Sequence, residues 1–166
     1  MPYLSNINIY CDSNQKAGKH KTKEKYFVRN GYNIIKKRLK VGDYMLDING
    51  KISVDTKQDL NEVYSNLFNV DDNKRFIREC LRAKHNKIKL VILIEESLDI
   101  NNLPNILIGN SQRNFVVRGS HIRDRMLYFE KLYGIKFMFC EPDRTGAEII
   151  DILSNYDKST TTNNLA

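Results

Sequence analysis

Cysteines are scarce in this sequence, and their positions do not support cross-linking. Cys11, Cys80 and Cys140 are odd in number and far apart, which argues against a disulfide framework. The three histidines show no ligand spacing with these cysteines, so a structural zinc site is not expected. Each cysteine occurs among apolar residues, and we expect all three to fill the core.

Long apolar segments and nucleotide-binding signals are also missing. No stretch approaches the ~20 apolar residues that span a bilayer, and the N-terminus has no signal-peptide pattern. We therefore expect a soluble, cytoplasmic protein. Gly18-Lys19 is not part of a phosphate-binding P-loop, because the glycine required five residues earlier is absent. A nucleotide cofactor is not expected.

Basic residues outnumber acidic ones. The chain has 27 Lys and Arg residues against 20 Asp and Glu residues, which gives a formal charge of +7 and a sequence pI of about 9.3. Such a balance favours a polyanionic partner, either nucleic acid or an anionic membrane surface. Charge alone does not distinguish these two partners.

One stretch, residues 42–57 with the sequence GDYMLDINGKISVDTK, combines a turn signal with charged residues. Asn49-Gly50 is typical of a two-residue hairpin turn, because both residues readily adopt positive φ angles. Apolar runs flank this dipeptide on both sides. The pattern therefore predicts paired strands at 44–48 and 52–57.

Three charged residues are expected to meet on this hairpin. Side chains alternate along a strand, so Asp55 and Lys57 share one face while Thr56 points away. The twist of the sheet would bring Asp43 beside them. Two carboxylates and an ammonium around one point form a divalent metal site. Solvated charges at the ends of strands are the alternative interpretation.

The remaining patterns predict the fold. With 166 residues the chain fits one domain. The predicted order is strand, helix, strand, hairpin, two helices, strand, loop, helix, strand and helix. This order indicates an α/β fold of three layers, with a central mixed β-sheet flanked by helices. We expect the domain to span residues 1–156 and the polar tail, 157–166, to be disordered.

The sequence allows more specific predictions for two regions of this fold. Residues 88–94, IKLVILI, form a nearly continuous aliphatic run, which predicts a strand covered on both faces. Residues 97–119 contain Asn, Pro and Gly residues that break any period, and are expected to form a long loop with at most a brief strand.

The polar loop after the first strand is one candidate DNA contact. It follows Asp12 and carries Lys16, Lys19 and Lys21. These lysines either belong to a solvated loop or form a rim that contacts phosphates.

A basic helix is the second candidate DNA contact. Asp71, Asp72 and Asn73 are expected to cap a helix at 74–86, with Phe76, Ile77, Cys80 and Leu81 as its apolar stripe. Its other face carries Arg75, Arg78 and Arg82, which are either solvated or in contact with the DNA backbone.

Several of these patterns together resemble a known family. They are Asp12 after the first strand, VGDYML at 41–46, VDTK at 54–57, KRFIREC at 74–80 and LVILIEE at 90–96. Over residues 7–153 the chain resembles the XPF-type nuclease domain of the PD-(D/E)XK superfamily, especially the single-domain versions of bacteriophages and their hosts. The resemblance implies a restriction-endonuclease-like fold that hydrolyses DNA with Mg²⁺ or Mn²⁺.

The resemblance also implies roles for particular residues. Asp43 matches the acid of the family's Gly-Asp motif, and Asp55 and Lys57 match the outer residues of its Glu-Arg-Lys motif. These three would be catalytic, with Lys57 orienting the attacking water. Asp12, Asp43 and Asp55 would hold the metal ion. Cleavage would leave a 5′-phosphate and a 3′-hydroxyl.

The function implied is a metal-dependent DNA endonuclease, acting on branched or flap DNA in phage or bacterial recombination, repair or replication. Three positions depart from the family pattern: Thr56 replaces the arginine of the triplet, Gln15 replaces a first-strand glutamate, and the aspartate expected beyond the triplet lies only two residues after Lys57, at Asp59. The alternative is therefore a weakly active or inactive DNA-binding module derived from such a nuclease. DNA is the expected partner, no membrane is involved, and a homodimer remains open because relatives often pair through this domain.

Overall fold

The computed structural model describes residues 6–16, 18–110 and 115–160. Within these residues the helices are α1 (Lys21–Arg29), α2 (Leu60–Phe68), α3 (Val70–His85), α4 (Gly119–Tyr133) and α5 (Thr145–Thr160). The strands are β1 (Asn8–Asp12), β2 (Asn33–Lys37), β3 (Tyr44–Leu46), β4 (Asn49–Lys57), β5 (Lys89–Ile94), β6 (Leu107–Asn110), β7 (Phe115–Arg118) and β8 (Lys136–Phe139).

Six strands form the central sheet in the order β2-β1-β3-β4-β5-β8. The pairs β1–β2, β4–β5 and β5–β8 are parallel, whereas β3 is antiparallel to both β1 and β4. Apolar side chains of α2, α3 and α4 pack on one face of the sheet, and those of α1 and α5 pack on the other. This arrangement confirms the predicted three-layer α/β fold with a mixed sheet.

Strand β5 lies between the two hydrophobic clusters. Leu90, Ile92 and Ile94 belong to the cluster under α2, α3 and α4, and Val91 and Leu93 belong to the cluster under α1 and α5. All five are buried, as the continuous aliphatic run predicts for a strand covered on both faces.

The hairpin turn lies two residues earlier than the sequence predicts. Leu46 pairs with Asn49, so the turn consists of Asp47 and Ile48, and Asn49-Gly50 begins β4 instead of forming the turn. Contacts with β1 explain the shift: the Asp47 amide donates to the Asn8 carbonyl, and the Asn8 side chain donates to the Asp47 carboxylate at 2.6 Å. The tertiary contact overrides the local preference of Asn-Gly.

Helix α3 begins before the residues expected to cap it. It starts at Val70, and the Asn69 side chain accepts hydrogen bonds from the Asp71 and Asp72 amides. The predicted stripe was also partly wrong, because Leu81 is 50% exposed.

Residues 97–119 contain more regular structure than expected. A short 3₁₀ helix, Leu103–Asn105, precedes a separate two-stranded sheet of β6 and β7. Helix α4 starts at Gly119. Gly119 lies so close to Leu103 that a Cβ atom would meet the Leu103 carbonyl oxygen at 1.9 Å. Close packing therefore orders a segment whose sequence has no period.

The remaining expectations concern the cysteines, membrane-spanning helices and the C-terminal tail. Cys11 and Cys80 are buried and Cys140 is half-buried, and all three are free thiols. In the described part of the chain, no helix combines the length and apolar character that crossing a bilayer requires. Helix α5 continues to Thr160, so the first residues of the tail expected at 157–166 are helical, and residues 161–166 lie outside the described ranges.

Candidate active site

A tight turn delivers Asp43 to the sheet. Gly42 adopts a left-handed conformation with φ 73°, which favours glycine. The Ser53 hydroxyl donates to the Val41 carbonyl at 2.8 Å, and the Asp43 amide donates to the Val54 carbonyl at 2.8 Å. The backbone on both sides of Gly42 is therefore bound to strand β4.

The Asp43 carboxylate is fixed by Thr56. Its Oδ2 accepts a hydrogen bond from the Thr56 amide at 3.0 Å and another from the Thr56 hydroxyl at 2.9 Å. The sequence pattern placed Thr56 away from the Asp55–Lys57 pair and gave it no role. In the structure Thr56 is a buried residue that holds Asp43 in one orientation.

Asp55 and Lys57 form a buried ion pair at the end of β4. The Lys57 Nζ lies 2.7 Å from the Asp55 Oδ2, and Asp55 is only 6% exposed. Burial raises the pKa of the Asp55 carboxyl to about 6; Lys57 opposes this rise, while the negative charge of Asp43 adds to it. Although burial lowers the pKa of Lys57, Asp55 raises it more, so the ammonium stays protonated at neutral pH.

Asp12 approaches this site through its backbone. Its amide donates to the Asp43 carbonyl at 2.8 Å, but its carboxylate Oδ1 accepts from the Leu39 amide at 2.9 Å. The Gln15 side-chain amide also donates to the Asp43 carbonyl, at 3.1 Å. In residues 6–16, 18–110 and 115–160, no group of three or more His, Cys, Asp or Glu side chains is arranged to hold a metal ion.

The donor set of Asp43 and Asp55 nevertheless suits a divalent cation. The pKa of Asp55 is raised by burial and by the charge of Asp43, so a bound cation would relieve both effects. Mg²⁺ commonly takes one or two protein carboxylates and completes its shell with waters and phosphate oxygens. Two adjacent carboxylates therefore meet its protein requirement.

Glu79 is a site residue that the sequence reasoning missed. It lies on α3, and its Oε1 accepts a hydrogen bond from the Gly42 amide at 3.0 Å. Burial raises the pKa of its carboxyl, and the nearby charge of Asp55 raises it further. Only its position on the inward side of the KRFIREC helix could have indicated this role, since the hydrogen bond spans 37 residues.

The bond from Gly42 to Glu79 is open to a direct test. Glu79→Ala is expected to lower the free energy of unfolding by about 1–2 kcal/mol, because the partly buried Gly42 amide loses its acceptor. Glu79→Gln keeps an acceptor oxygen and removes the repulsion with Asp55, so it should be at least as stable as the wild type. Urea unfolding of the three proteins measures this difference, and equal losses in both variants would contradict the role of the hydrogen bond.

Other acids near the site have structural roles. Asp59 caps α2 by accepting from the Glu62 amide at 2.9 Å. The Glu96 carboxylate accepts from the Leu60 amide at 2.8 Å, while Glu95 forms an ion pair with the buried Lys23. Asp59, Glu95 and Glu96 are therefore not catalytic candidates, and the remaining candidates lie on the hairpin and on α3.

The loop lysines predicted to contact DNA lie near Asp12. Lys16 and Lys21 line a cavity of about 400 Å³ that Asp12 also borders. Lys19 forms an ion pair with Glu62 at 3.6 Å. All three lysines are exposed.

The helix arginines predicted to contact DNA lie on the other side of the site. Arg75, Arg78 and Arg82 line a second cavity of about 360 Å³, which also contains Lys57. Arg75 forms an ion pair with Asp72, one turn away. The structure therefore places this basic face next to the buried Asp55–Lys57 pair.

Solved structures share this fold. XPF from Aeropyrum pernix has a TM-score of 0.63 and 19% identity over 94% of this chain and 69% of its own. XPF from Aeropyrum pernix in complex with DNA has a TM-score of 0.61 and 17% identity over 92% of this chain and 66% of its own. The chain thus spans about two thirds of each structure's length. No curated protein sequence matches the chain significantly.

A family model connects the sequence with this fold. The model of the ERCC4 domain matches residues 12–153, which include the turn at Gly42, strand β4 and all five helices as far as the middle of α5. Because this match covers most of the chain and the shared fold agrees with it, the chain belongs to the ERCC4 domain family, the XPF-type nucleases that its sequence resembles.

Proposed function

We propose that this chain is a metal-dependent DNA endonuclease whose reacting centre consists of Asp43, Asp55 and Lys57. The observation that carries the proposal is the buried Asp55–Lys57 ion pair beside Asp43 at the end of β4. A buried, charged cluster is costly to maintain for stability alone, and perturbed groups of this kind concentrate at functional sites. Membership of the ERCC4 domain family supports a nuclease.

Each residue has a distinct role in this proposal. A bound Mg²⁺ or Mn²⁺ would supply Lewis acidity at the scissile phosphate and lower the pKa of a water. Asp43 and Asp55 provide the anionic oxygens that hold the ion, and Thr56 fixes the orientation of Asp43. Because Lys57 remains protonated at neutral pH, it orients the attacking water and offsets negative charge at phosphorus rather than removing a proton.

The substrate is DNA in this proposal, and one similar structure is an XPF bound to DNA. Branched or flap DNA in bacterial or phage recombination, repair or replication is the setting that the family resemblance suggests. Asp12, whose amide donates to the Asp43 carbonyl, would support the metal site from this position.

One observation favours the second candidate, a DNA-binding module with weak or no activity. Gln15 occupies the place of the family's first-strand glutamate, and its amide nitrogen donates to the Asp43 carbonyl. In this position Gln15 supports the backbone and adds no negative charge to the site.

Cleavage of several forms of DNA tests both candidates. Single-stranded and duplex circles, which have no free ends, and flaps and four-way junctions would be incubated with Mg²⁺, with Mn²⁺ or with a chelator. The wild type and the surface control Asp124→Asn should cleave only with metal, whereas Asp43→Asn should be slower by roughly 10²–10³-fold. A wild type no faster than Asp43→Asn on every substrate would exclude the endonuclease, and retained DNA binding would then favour the second candidate.

A further inference from the structure

Two cavities beside helix α3 share a wall, and one of them reaches Lys57 of the proposed reacting centre. One, of about 500 Å³, lies between residues 38–42 and helix α3. The other, of about 360 Å³, lies between the end of β4 and α3, and contains Lys57. Glu79 and Arg82 border both cavities. They are therefore the two halves of one groove along α3, which we call the α3 groove.

Basic side chains border both halves of the α3 groove. Arg38 and Lys40 border the first half, Arg75 and Arg78 border the second, and Arg82 borders both. Arg75, Arg78 and Arg82 recur at intervals of three and four residues, which places them along one side of a helix. The two basic groups thus meet at Arg82, whose Nε donates to the Lys40 carbonyl, and they border the same groove as Gly42, Glu79 and Lys57.

Most of these side chains keep hydrogen-bond donors for a ligand. Arg38, Lys40, Arg78 and Arg82 are exposed, and within the described ranges none of them lies within 4.0 Å of a carboxylate. The Arg82 Nε donates to the Lys40 carbonyl at 3.2 Å, which orients the guanidinium and leaves its terminal nitrogens available.

The cavity beside the loop lysines is less suited to a polyanion. Glu24 borders that cavity together with Lys16, Lys21 and Lys36, and it forms an ion pair with Lys36. Lys19 is paired with Glu62 nearby. Carboxylates thus offset much of the positive charge there. The α3 groove also contains acids: Asp72 pairs with Arg75, whereas Asp12 and Glu79 lie next to the proposed centre. Its other four exposed cations have no carboxylate partner in the described ranges.

We propose that the α3 groove binds the phosphodiester backbone of one DNA strand next to the proposed reacting centre. Arg38 and Lys40 hold phosphates in the first half of the groove, Arg75 and Arg78 hold them in the second, and Arg82 borders both halves. The position of the scissile bond rests on the proposed function, but the binding path does not.

Salt-dependent binding tests this path with matched variants. Arg38→Gln/Lys40→Gln and Arg75→Gln/Arg78→Gln each remove two charges from one half of the groove. Arg29→Gln/Lys25→Gln removes two charges from exposed positions on α1, which do not border it. Anisotropy of a short labelled duplex and a labelled single strand would be measured in chelator, so that cleavage cannot interfere.

Both groove variants are expected to bind duplex roughly tenfold more weakly than the control. Each should also reduce the slope of log affinity against log salt by about 2, since each phosphate contact contributes about 0.9. Equal losses in the control, or a loss confined to one half of the groove, would overturn the proposal. A wild type that shows the expected binding pattern but never cleaves would support the groove and refute the endonuclease.

Discussion

Replacing Lys57 by methionine is expected to lower the free energy of unfolding by about 3 kcal/mol, because Asp55 would remain buried without its cation. Methionine retains most of the apolar stem, so the change isolates the charge. Lys51→Met is the matched control, since Lys51 lies on the same strand but is exposed. Urea unfolding at neutral pH measures the difference.

The pH dependence of this loss has a definite sign. Burial raises the pKa of Asp55, and removing Lys57, which opposes that rise, raises it further. The folded variant then binds more protons than the unfolded chain, so its stability falls as pH increases above the unfolded value of about 3.9. The difference between variant and wild type should be largest at neutral pH and shrink toward about pH 4.

A second variant separates stability from chemistry. In Asp55→Asn/Lys57→Met neither charge remains, so most of the lost stability should return. Cleavage should stay reduced by roughly 10²-fold or more in both variants, because the proposed reaction needs both groups. If the double variant were as unstable as Lys57→Met, the buried ion pair would not be the cause of the loss.

Gly42→Ala is expected to destabilise the protein by about 2–4 kcal/mol and to displace Asp43. A Cβ atom at this position would meet the Ser53 hydroxyl oxygen at 2.1 Å, and the residue would keep a φ of 73° that alanine rarely adopts. Ser53 cannot easily move, because its hydroxyl donates to the Val41 carbonyl.

Gly50→Ala is the matched control for this substitution. A Cβ atom at Gly50 would meet nothing within 4 Å, and Gly50 does not have a positive φ. We therefore expect a change of less than about 1 kcal/mol. Thermal unfolding of both variants checks the contrast, and a large loss for Gly50→Ala would instead support the turn that the sequence predicts at Asn49-Gly50.

The features that were predictable from sequence depend on local periodicity or on adjacent residues. Alternation along β4 suffices to put Asp55 and Lys57 on one face, and their ion pair agrees with that expectation. The aliphatic run of β5 likewise determines a strand with two buried faces. Both inferences need only neighbours in the chain.

The features that were missed depend on distant residues. The hairpin turn forms at Asp47 and Ile48, not at the predicted Asn49-Gly50, because Asn8 on β1 binds Asp47. Glu79 lies at the site because it accepts a hydrogen bond from the Gly42 amide. Helix α4 begins at Gly119, which packs closely against Leu103. Sequence periodicity contains no information about these pairings, so they became visible only with the fold.

The position of β4 beside β5 affects how the proposed cleavage activity would be lost on heating. Asp55 pairs with Ile92 and Lys57 pairs with Ile94, on a strand buried between both hydrophobic clusters. Such segments open only when the whole domain unfolds, so their amide hydrogens exchange slowly with solvent. We therefore expect Asp55 and Lys57 to keep their positions until the domain unfolds, so heating should abolish cleavage and global structure in the same transition.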